Sequence, residues 1–174
     1  MPHEISDLPS ASPWVVAHCS AFAAGGYVLD LACGSGRHTR YLANEGFRVC
    51  AVDIKTQAVS SAQLEGIEIV TADLEQGPWP FKVGQFDGIV VVNYLWRALF
   101  PKLANTLKPG GVLIYDTFAA GNGQYGRPSN PDFLLRPQEL KQAFADFDCL
   151  DYFEGYREQP KPAIRQSIVV RKQA

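Results

Sequence analysis

The sequence has little of what marks a secreted, metal-binding or membrane-spanning protein. Its four cysteines, at positions 19, 33, 50 and 149, form no Cys-x-x-Cys pair, and its three histidines form no cluster. Neither a disulfide framework nor a metal site is therefore expected. No apolar run approaches the length of about 18 residues that crosses a bilayer. The first residues show no basic region followed by an apolar segment, so we expect a cytoplasmic protein without a membrane partner.

An excess of charge of one sign is also missing. The chain has 16 Lys and Arg against 18 Asp and Glu, which gives a net charge of −2 at pH 7. This balance disfavours a nucleic-acid partner, although a local basic patch stays compatible with it. With 174 residues, 47% of them hydrophobic, the chain can bury one core. We expect one domain over residues 1–174, with an N-terminal helical cap over 1–26 and an α/β core over 27–174.

Short apolar runs alternate along the chain with segments of helical spacing. The apolar runs predict strands at 27–32, 47–52, 66–71, 86–92 and 112–116, then two alternating strands at 147–157 and 164–172. Helical spacing and capping residues predict helices from Pro13 to about Ala24, from Gly36 to Asn44, over 55–64, from Pro101 through Leu107 and over 136–144. This alternation predicts a mainly parallel sheet with helices on both faces.

The most informative segment runs from Tyr27 to Gly36. An apolar strand passes through a Gly-x-Gly turn into a helix, which places free backbone N–H groups where a polar ligand can bind. The dinucleotide fingerprint has a third glycine, and here that position holds Thr39. Because its branched side chain disturbs close packing of the helix on the strand, a nicotinamide cofactor is disfavoured.

The run Val28-Leu-Asp-Leu-Ala-Cys-Gly-Ser-Gly36 resembles the first motif of class I S-adenosylmethionine-dependent methyltransferases. Asp53 and Asp73 follow the second and third strands, and Leu107-Lys-Pro-Gly-Gly precedes the fifth, as in that family. Within it, the chain is similar to small bacterial methyltransferases of the tellurite-resistance type. The resemblance implies a Rossmann-like three-layer sandwich whose seven-stranded sheet is mostly parallel with an antiparallel C-terminal strand. It also implies S-adenosyl-L-methionine as cofactor and S-adenosyl-L-homocysteine as product.

The same resemblance implies a set of cofactor-binding residues at the strand ends. Asp30 would accept from the methionine ammonium group, Asp53 from the ribose hydroxyls and Asp73 from the adenine amino group. For each acid the alternative is a carboxylate that stabilises its own loop or is merely solvated. The full predicted set is Asp30, Ala32, Cys33, Gly34, Ser35, Gly36, Asp53, Ile54, Asp73, Leu74, Asn93 and Tyr94.

No catalytic residue is determined by the sequence, because methyl transfer needs a base only when the acceptor must lose a proton. Three candidates stand out. Tyr94 would shape the acceptor pocket or pack in the core, and His38 would act as a base or lie on the helix surface. Arg127, in the long loop 119–131, would bind an anionic acceptor or fasten that loop, which has the length of a lid.

The leading hypothesis is a methyltransferase that acts on a small-molecule acceptor. A first alternative is an RNA or protein methyltransferase with a partner, for which the basic residues Arg157, Lys161, Arg165, Arg171 and Lys172 argue. We interpret these residues as a solvated face of the C-terminal hairpin. A second alternative is a cofactor-binding module without activity. The sequence determines neither the acceptor nor the oligomeric state.

Overall fold

A computed structural model describes residues 9–174 of the chain. Within that range the backbone forms seven strands that pair into a single sheet. The strands are β1 (Tyr27–Leu31), β2 (Arg48–Asp53), β3 (Ile67–Thr71), β4 (Phe86–Val92), β5 (Leu107–Phe118), β6 (Asp148–Arg157) and β7 (Ala163–Arg171). The α-helices in the same range are α1 (Pro13–His18), α2 (Arg37–Asn44), α3 (Gln57–Ser61), α4 (Phe100–Thr106) and α5 (Glu139–Ala143).

The sheet has the strand order β3-β2-β1-β4-β5-β7-β6. Neighbours from β3 to β5 are parallel, whereas β7 is antiparallel to both β5 and β6. The predicted fold, mostly parallel with an antiparallel C-terminal strand, is confirmed. Successive strands are added on one side of β1, to β2 and β3, and then on its other side, to β4 and β5, so the carboxyl ends of β1 and β4 flank the crevice where ligands bind in such sheets.

Each face of the sheet is covered by helices, which gives the predicted three layers. On one face Val15 of α1 and Leu42 of α2 pack against β1, β2, β4 and β5. On the other face Leu103 of α4 and Leu140 of α5 belong to a larger cluster with β4, β5 and β7. None of the helices between residues 9 and 174 has the length and apolar character needed to span a membrane.

The first helix is shorter than predicted. It ends at His18, a 3-10 turn covers Cys19–Ala21, and Phe22 is extended. The helix stops because the ring of Phe22 must turn down onto Gly88, where a Cβ would have no room. Residues 1–8 of the predicted N-terminal cap lie outside the described residues.

Three other predicted elements differ from the structure by more than one residue at an end. The helix predicted over 55–64 is only Gln57–Ser61, because just Val59 is buried and Gln63 takes a positive φ of 50°. The helix predicted over 136–144 is only Glu139–Ala143, since Gln138 before it also has a positive φ. The fifth strand is longer than the predicted 112–116, because a bulge opposite Phe86 brings Leu107 into the sheet.

Candidate functional site

The turn between β1 and α2 has an unusual backbone. Ala32, Gly34 and Gly36 have φ values of 54°, 55° and 87°, all in the left-handed region. Gly36 is the N-cap of α2, and its N–H donates to the carbonyl of Cys33 at 2.9 Å. The alternating conformation turns successive backbone groups towards the carboxyl end of the sheet, the geometry that lets a loop approach a polar ligand.

Asp53, at the end of β2, holds this turn in place. Its Oδ2 accepts from the N–H of Gly34 at 2.9 Å and its Oδ1 accepts from the N–H of Lys55 at 3.2 Å. The N–H of Cys33 also donates to the carbonyl of Val52 at 3.0 Å. The β1 and β2 strand ends are therefore fixed relative to one another by the residue that the sequence singled out.

A cavity of about 220 Å³ opens beside Asp53 at the carboxyl ends of β1 to β4. It brings together half of the residues predicted to bind the cofactor and three that the prediction missed. The predicted lining residues are Ala32, Asp53, Ile54, Asp73, Leu74 and Tyr94, and the missed ones are Ala72, Glu75 and Gln76. The missed residues lie immediately on either side of Asp73 and Leu74 in the sequence. A prediction that covered all of residues 72–76 after the third strand would have included them.

Asp73 shapes the floor of this cavity by capping its own turn. Its Oδ1 accepts from the N–H groups of Glu75 and Gln76 at 3.0 and 2.9 Å. The hydroxyl of Tyr94 donates to Glu75 at 3.2 Å, which ties the β4 end to this turn. Burial and the neighbouring Glu75 carboxylate raise the pKa of Tyr94, so the phenol is neutral at physiological pH.

Asp30 lies inside β1 and is only 2% exposed. The hydroxyl of Thr39 donates to its Oδ2 at 2.6 Å, so the residue in the third-glycine position anchors this carboxyl. Burial raises the pKa of Asp30 to about 7, against the opposing effect of Thr39. In the same turn Cys33 is buried, which raises the pKa of its thiol to about 12, and Ser35 is exposed.

His38 is not on the helix surface. It is 4% exposed, and its Nε2 accepts from the N–H of Ser12 at 2.9 Å. Burial, together with the nearby Arg37, lowers the pKa of His38 to about 4. The helix spacing did not reveal this burial because the segment before α1, rather than the sheet, covers the ring.

Asn93 does not line the cavity. With a φ of 54° it ends β4, its N–H donates to the Asp116 carbonyl, and its Oδ1 accepts from Arg165 Nη2 at 2.6 Å. Asn93, which is itself exposed, belongs to a largely buried polar cluster, called here the Asp116 cluster, whose other members are Ser12, Asp116, Arg157, Arg165 and Ser167. The sequence reasoning missed Asp116, although the position at the end of the fifth strand follows the same rule as Asp53.

The interpretation of the C-terminal basic residues as a solvated face is wrong for three of the five. Arg165 is 7% exposed and binds Asp116, and Arg157 is half-buried in the same cluster. Lys172 donates to the carbonyls of Ala104 and Leu107 at 2.8 and 2.9 Å. Arg165 turns inwards on β7, a strand that lies between β5 and β6, whereas Arg157 reaches the same cluster from β6.

The loop 119–131 is more ordered than a structureless lid. The buried Asn122 donates to the Pro128 carbonyl at 3.0 Å and accepts from the N–H of Ile164 at 3.0 Å. A 3-10 turn covers Asn122–Gln124. Arg127 is exposed on this loop and does not line the cavity beside Asp53.

Comparisons with known proteins agree with this geometry. Residues 28–111 match a family model described as a methyltransferase domain. A ubiquinone biosynthesis O-methyltransferase of Paraburkholderia phytofirmans is 39% identical over 125 residues, which cover 66% of this chain and 52% of that protein. The chain spans about half the length of the curated relatives it matches.

Two crystal structures show the same fold. TehB from Haemophilus influenzae aligns with a TM-score of 0.78 and 20% identity over 97% of this chain and 64% of that one. A 1,6-didemethyltoxoflavin-N1-methyltransferase of Burkholderia thailandensis, crystallised with 1,6-didemethyltoxoflavin and S-adenosylhomocysteine, aligns with a TM-score of 0.67 and 19% identity over 92% of this chain and 75% of that one. The match of residues 28–111 and the shared fold support a class I S-adenosylmethionine-dependent methyltransferase domain.

Replacing Gly36 of this methyltransferase domain with alanine should lower the free energy of unfolding by about 2 kcal/mol, because a left-handed non-glycine residue is strained and the side chain overpacks. An ideal Cβ at Gly36 would lie 2.7 Å from Cγ2 of Val59, whereas one at Gly34 meets nothing within 4 Å. Gly34→Ala is therefore the control and should cost about 1 kcal/mol. Urea denaturation of both variants measures the difference, and equal losses would contradict the role of Val59.

His38 gives the methyltransferase domain a pH-dependent stability. Its folded pKa of about 4 lies below the ordinary value of 6.5, so the unfolded chain takes up the proton first and stability is lost as pH falls through this window. Between pH 7 and pH 5 the expected loss from this residue is about 2 kcal/mol. Asp30 acts in the opposite direction over an overlapping window, since its folded pKa of about 7 is raised.

The comparison of wild type with His38→Gln isolates the histidine, because Asp30 is present in both proteins. The difference in unfolding free energy between them should shift by about 2 kcal/mol from pH 7 to pH 5, with the wild type losing more. Urea denaturation at the two pH values gives this difference. A difference that does not change with pH would show that the imidazole is hydrated in the folded state.

Proposed function

We propose that the protein transfers a methyl group from S-adenosylmethionine to a small-molecule acceptor. The observation that carries this proposal is the cavity beside Asp53, which combines two carboxylates, Asp53 and Asp73, with the aliphatic side chains of Ile54 and Leu74. Polar hydroxyl and amino groups beside an apolar ring system are what a nucleoside presents. The proposal covers residues 1–174 as one domain.

The number of hydrogen bonds that the two carboxylates can still accept supports a nucleoside in this cavity. An ionised carboxylate has about four lone-pair positions, of which Asp53 uses two for Gly34 and Lys55. The remaining positions suit the two ribose hydroxyls. Asp73 makes its hydrogen bonds to backbone N–H groups through Oδ1, which leaves Oδ2 for the adenine amino group. Ile54 is 57% exposed in this structure, and we assign it to the adenine face.

We assign the methionine end of the cofactor to the turn after β1. Ala32, Cys33, Gly34, Ser35 and Gly36 present backbone groups there, and the left-handed conformations allow close approach. Asp30 would lie behind this turn, away from the ligand. Because its carboxyl is buried and held by Thr39, we expect a water molecule to bridge the hydrogen bond between this carboxyl and the ammonium group.

In this reaction the main task of the protein is to align the acceptor with the methyl group. S-adenosylmethionine, when bound, supplies a methyl group on a sulfonium centre, so the acceptor's lone pair forms the new bond while the carbon–sulfur bond breaks and its electron pair goes to sulfur. Tyr94 is neutral, and the Nε2 of His38 is committed to Ser12. Tyr94 therefore lines the site in this proposal, His38 lies outside the cavity, and the acceptor arrives already able to attack.

Calorimetry with S-adenosylmethionine, S-adenosylhomocysteine and NAD tests the cofactor. Binding of the first two with no NAD signal is expected, and tight NAD binding without an adenosylmethionine signal would overturn the proposal. Transfer of a radiolabelled methyl group to a panel of thiol, amine, carboxylate, chalcogen and RNA acceptors tests the reaction. Inactivity towards every acceptor, with cofactor binding intact, would indicate a binding module instead.

We further propose that nucleic acid is not the acceptor. Three of the five basic residues that suggested it are committed inside the fold, namely Arg157, Arg165 and Lys172. Retention on RNA should therefore be weak. Binding that falls steeply with salt would contradict this part of the proposal.

A further inference from the structure

The Asp116 cluster has a single carboxylate, and all the side-chain hydrogen bonds that this carboxylate accepts from residues 9–174 come from other members of the cluster. Its Oδ1 accepts from Arg165 Nε at 2.9 Å and from the Ser167 hydroxyl at 2.7 Å, while its Oδ2 accepts from the Ser12 hydroxyl at 2.7 Å. Burial opposes ionisation, but the guanidinium of Arg165 and these hydrogen bonds lower the pKa of Asp116 below its usual range. The Asp116–Arg165 ion pair is therefore a neutral unit, since its two charges cancel.

Two further guanidinium groups lie around this neutral unit. Arg157 approaches Asp116 only at 3.5 Å, and Arg37 donates to the backbone carbonyl of Ser10 at 2.9 Å. Burial lowers the pKa of both arginines, and Arg165 contributes to the effect. Asp30, the nearby acid on the other side of Arg37, has a pKa of about 7 and is only partly ionised. Among residues 9–174 the cluster thus holds more positive than negative charge, and this excess is partly shielded from water.

Arg157 is the arginine of this group whose N–H donors are bound most weakly by the described residues. Its two polar contacts are long, at 3.5 Å to Asp116 and 3.3 Å to the Ser167 hydroxyl. Its guanidinium carbon lies 4.3 Å from the centroid of the Phe153 ring and 5.5 Å from that of Trp14. These cation–π contacts hold the group in place, and its two long polar contacts leave most of its five N–H donors without a partner among residues 9–174, so that they can bind a planar anion.

The cluster adjoins the cofactor cavity through Asn93. The side chain of Asn93 holds Arg165 at 2.6 Å, and Tyr94, the next residue, lines the cavity. If the cofactor occupies that cavity, the acceptor meets it on this side of β4. This step rests on the proposed function.

We propose that the acceptor carries an anionic oxygen group, a carboxylate or a comparable small oxyanion, and that Arg157 binds it with Arg37 contributing charge. In this arrangement Asp116 and Arg165 are positioning residues, since Asp116 accepts from both Arg157 and Arg165. The anion supplies the negative charge that the described residues lack. An uncharged acceptor of the same shape would leave two shielded cations unbalanced and would bind poorly.

The test is calorimetric titration of benzoate, inorganic phosphate and the uncharged benzamide into the protein, with and without S-adenosylhomocysteine. We expect saturable binding of at least one anion, and binding of benzamide at least about tenfold weaker, the scale of hydrogen bonds to a charged group. The preference between benzoate and phosphate distinguishes a carboxylate from an oxyanion acceptor. Anion binding is measured without the cofactor as well, so a failure of the cofactor proposal leaves this result readable.

Arg157→Gln should weaken anion binding at least about tenfold while S-adenosylhomocysteine affinity stays within about twofold. Arg171→Gln, an exposed arginine on β7, is the matched control and should change neither. A tenfold loss of anion binding in Arg127→Gln, with no loss in Arg157→Gln, would transfer the role to the loop and overturn the proposal. Thermal denaturation of each variant shows whether a loss of binding reflects a loss of folding.

An alternative is that an acidic residue of the chain itself, rather than the acceptor, supplies the anion that Arg157 binds. Glu4 and Asp7 precede the described residues. In the double variant Glu4→Gln and Asp7→Asn, the affinity for benzoate and phosphate should stay within about twofold of the wild type. A tenfold gain would mean that the chain's own carboxylates occupy the site, and absence of saturable anion binding in both this variant and the wild type would also overturn the proposal.

Discussion

Asp116→Ala should lower the free energy of unfolding by about 3–5 kcal/mol, because it leaves the buried guanidinium of Arg165 without its charge partner. The carboxylate is 2% exposed and accepts from three side chains at 2.7–2.9 Å. For a protein of this size the loss corresponds to a fall in melting temperature of roughly 6–20 °C. Calorimetric or circular-dichroism melting measures it, with urea denaturation giving the free energy.

Asp151→Ala is the matched control for the Asp116 prediction. Its carboxylate lies 2.7 Å from Nε2 of His18, but the side chain is 51% exposed. An exposed pair contributes up to about 1 kcal/mol, so this variant should melt close to the wild type. The double variant Asp116→Ala with Arg165→Ala should lose at least about 1 kcal/mol less than the two single losses added together. Strict additivity would show that the pair is not coupled.

Asp53→Ala should raise the dissociation constant for S-adenosylhomocysteine by roughly 10- to 150-fold. This range corresponds to about 1.5–3 kcal/mol, the contribution of hydrogen bonds to a charged group. The variant removes both the proposed acceptor of the ribose hydroxyls and the anchor of the Gly34 N–H, 2.9 Å away. Isothermal titration calorimetry measures the constant directly.

Asp53→Asn separates these two contributions. The amide oxygen can still accept from Gly34, but the remaining NH₂ group cannot accept from a hydroxyl. We therefore expect an affinity between those of the wild type and Asp53→Ala. Asp146→Ala, an exposed acid away from the cavity, should bind like the wild type. An unchanged constant in Asp53→Ala would remove this residue from the ribose site.

The positions of the strands along the chain were predictable because the buried parallel strands are short and largely apolar. The segment 86–92 shows this best, since six of its seven residues are buried. The strand ends were predictable for a related reason. An acid such as Asp53 directly after an apolar run marks the point where the backbone leaves the sheet and reaches solvent, and parallel strands bring these points to one edge.

Helix lengths were less predictable because they depend on what covers the helix. Nothing in the spacing of residues 13–24 shows that Phe22 must leave the helix to fill the space over Gly88. The position of His38 illustrates the same limit. Its helical register suggested exposure, and only the backbone of Ser12, 26 residues earlier, buries the ring.

What the sequence by itself determined about this protein is the sheet, the turn after β1 and the acids at the ends of β2 and β3, because local periodicity and short motifs encode them. Only the tertiary structure revealed the Asp116 cluster, on which the proposed acceptor site depends. Ser12 and Asp116 are 104 residues apart, and Arg165 joins them from a strand that pairs antiparallel with β5. A partially buried set of charges arises from that register alone, since no local pattern records which side chains a distant strand will bring together.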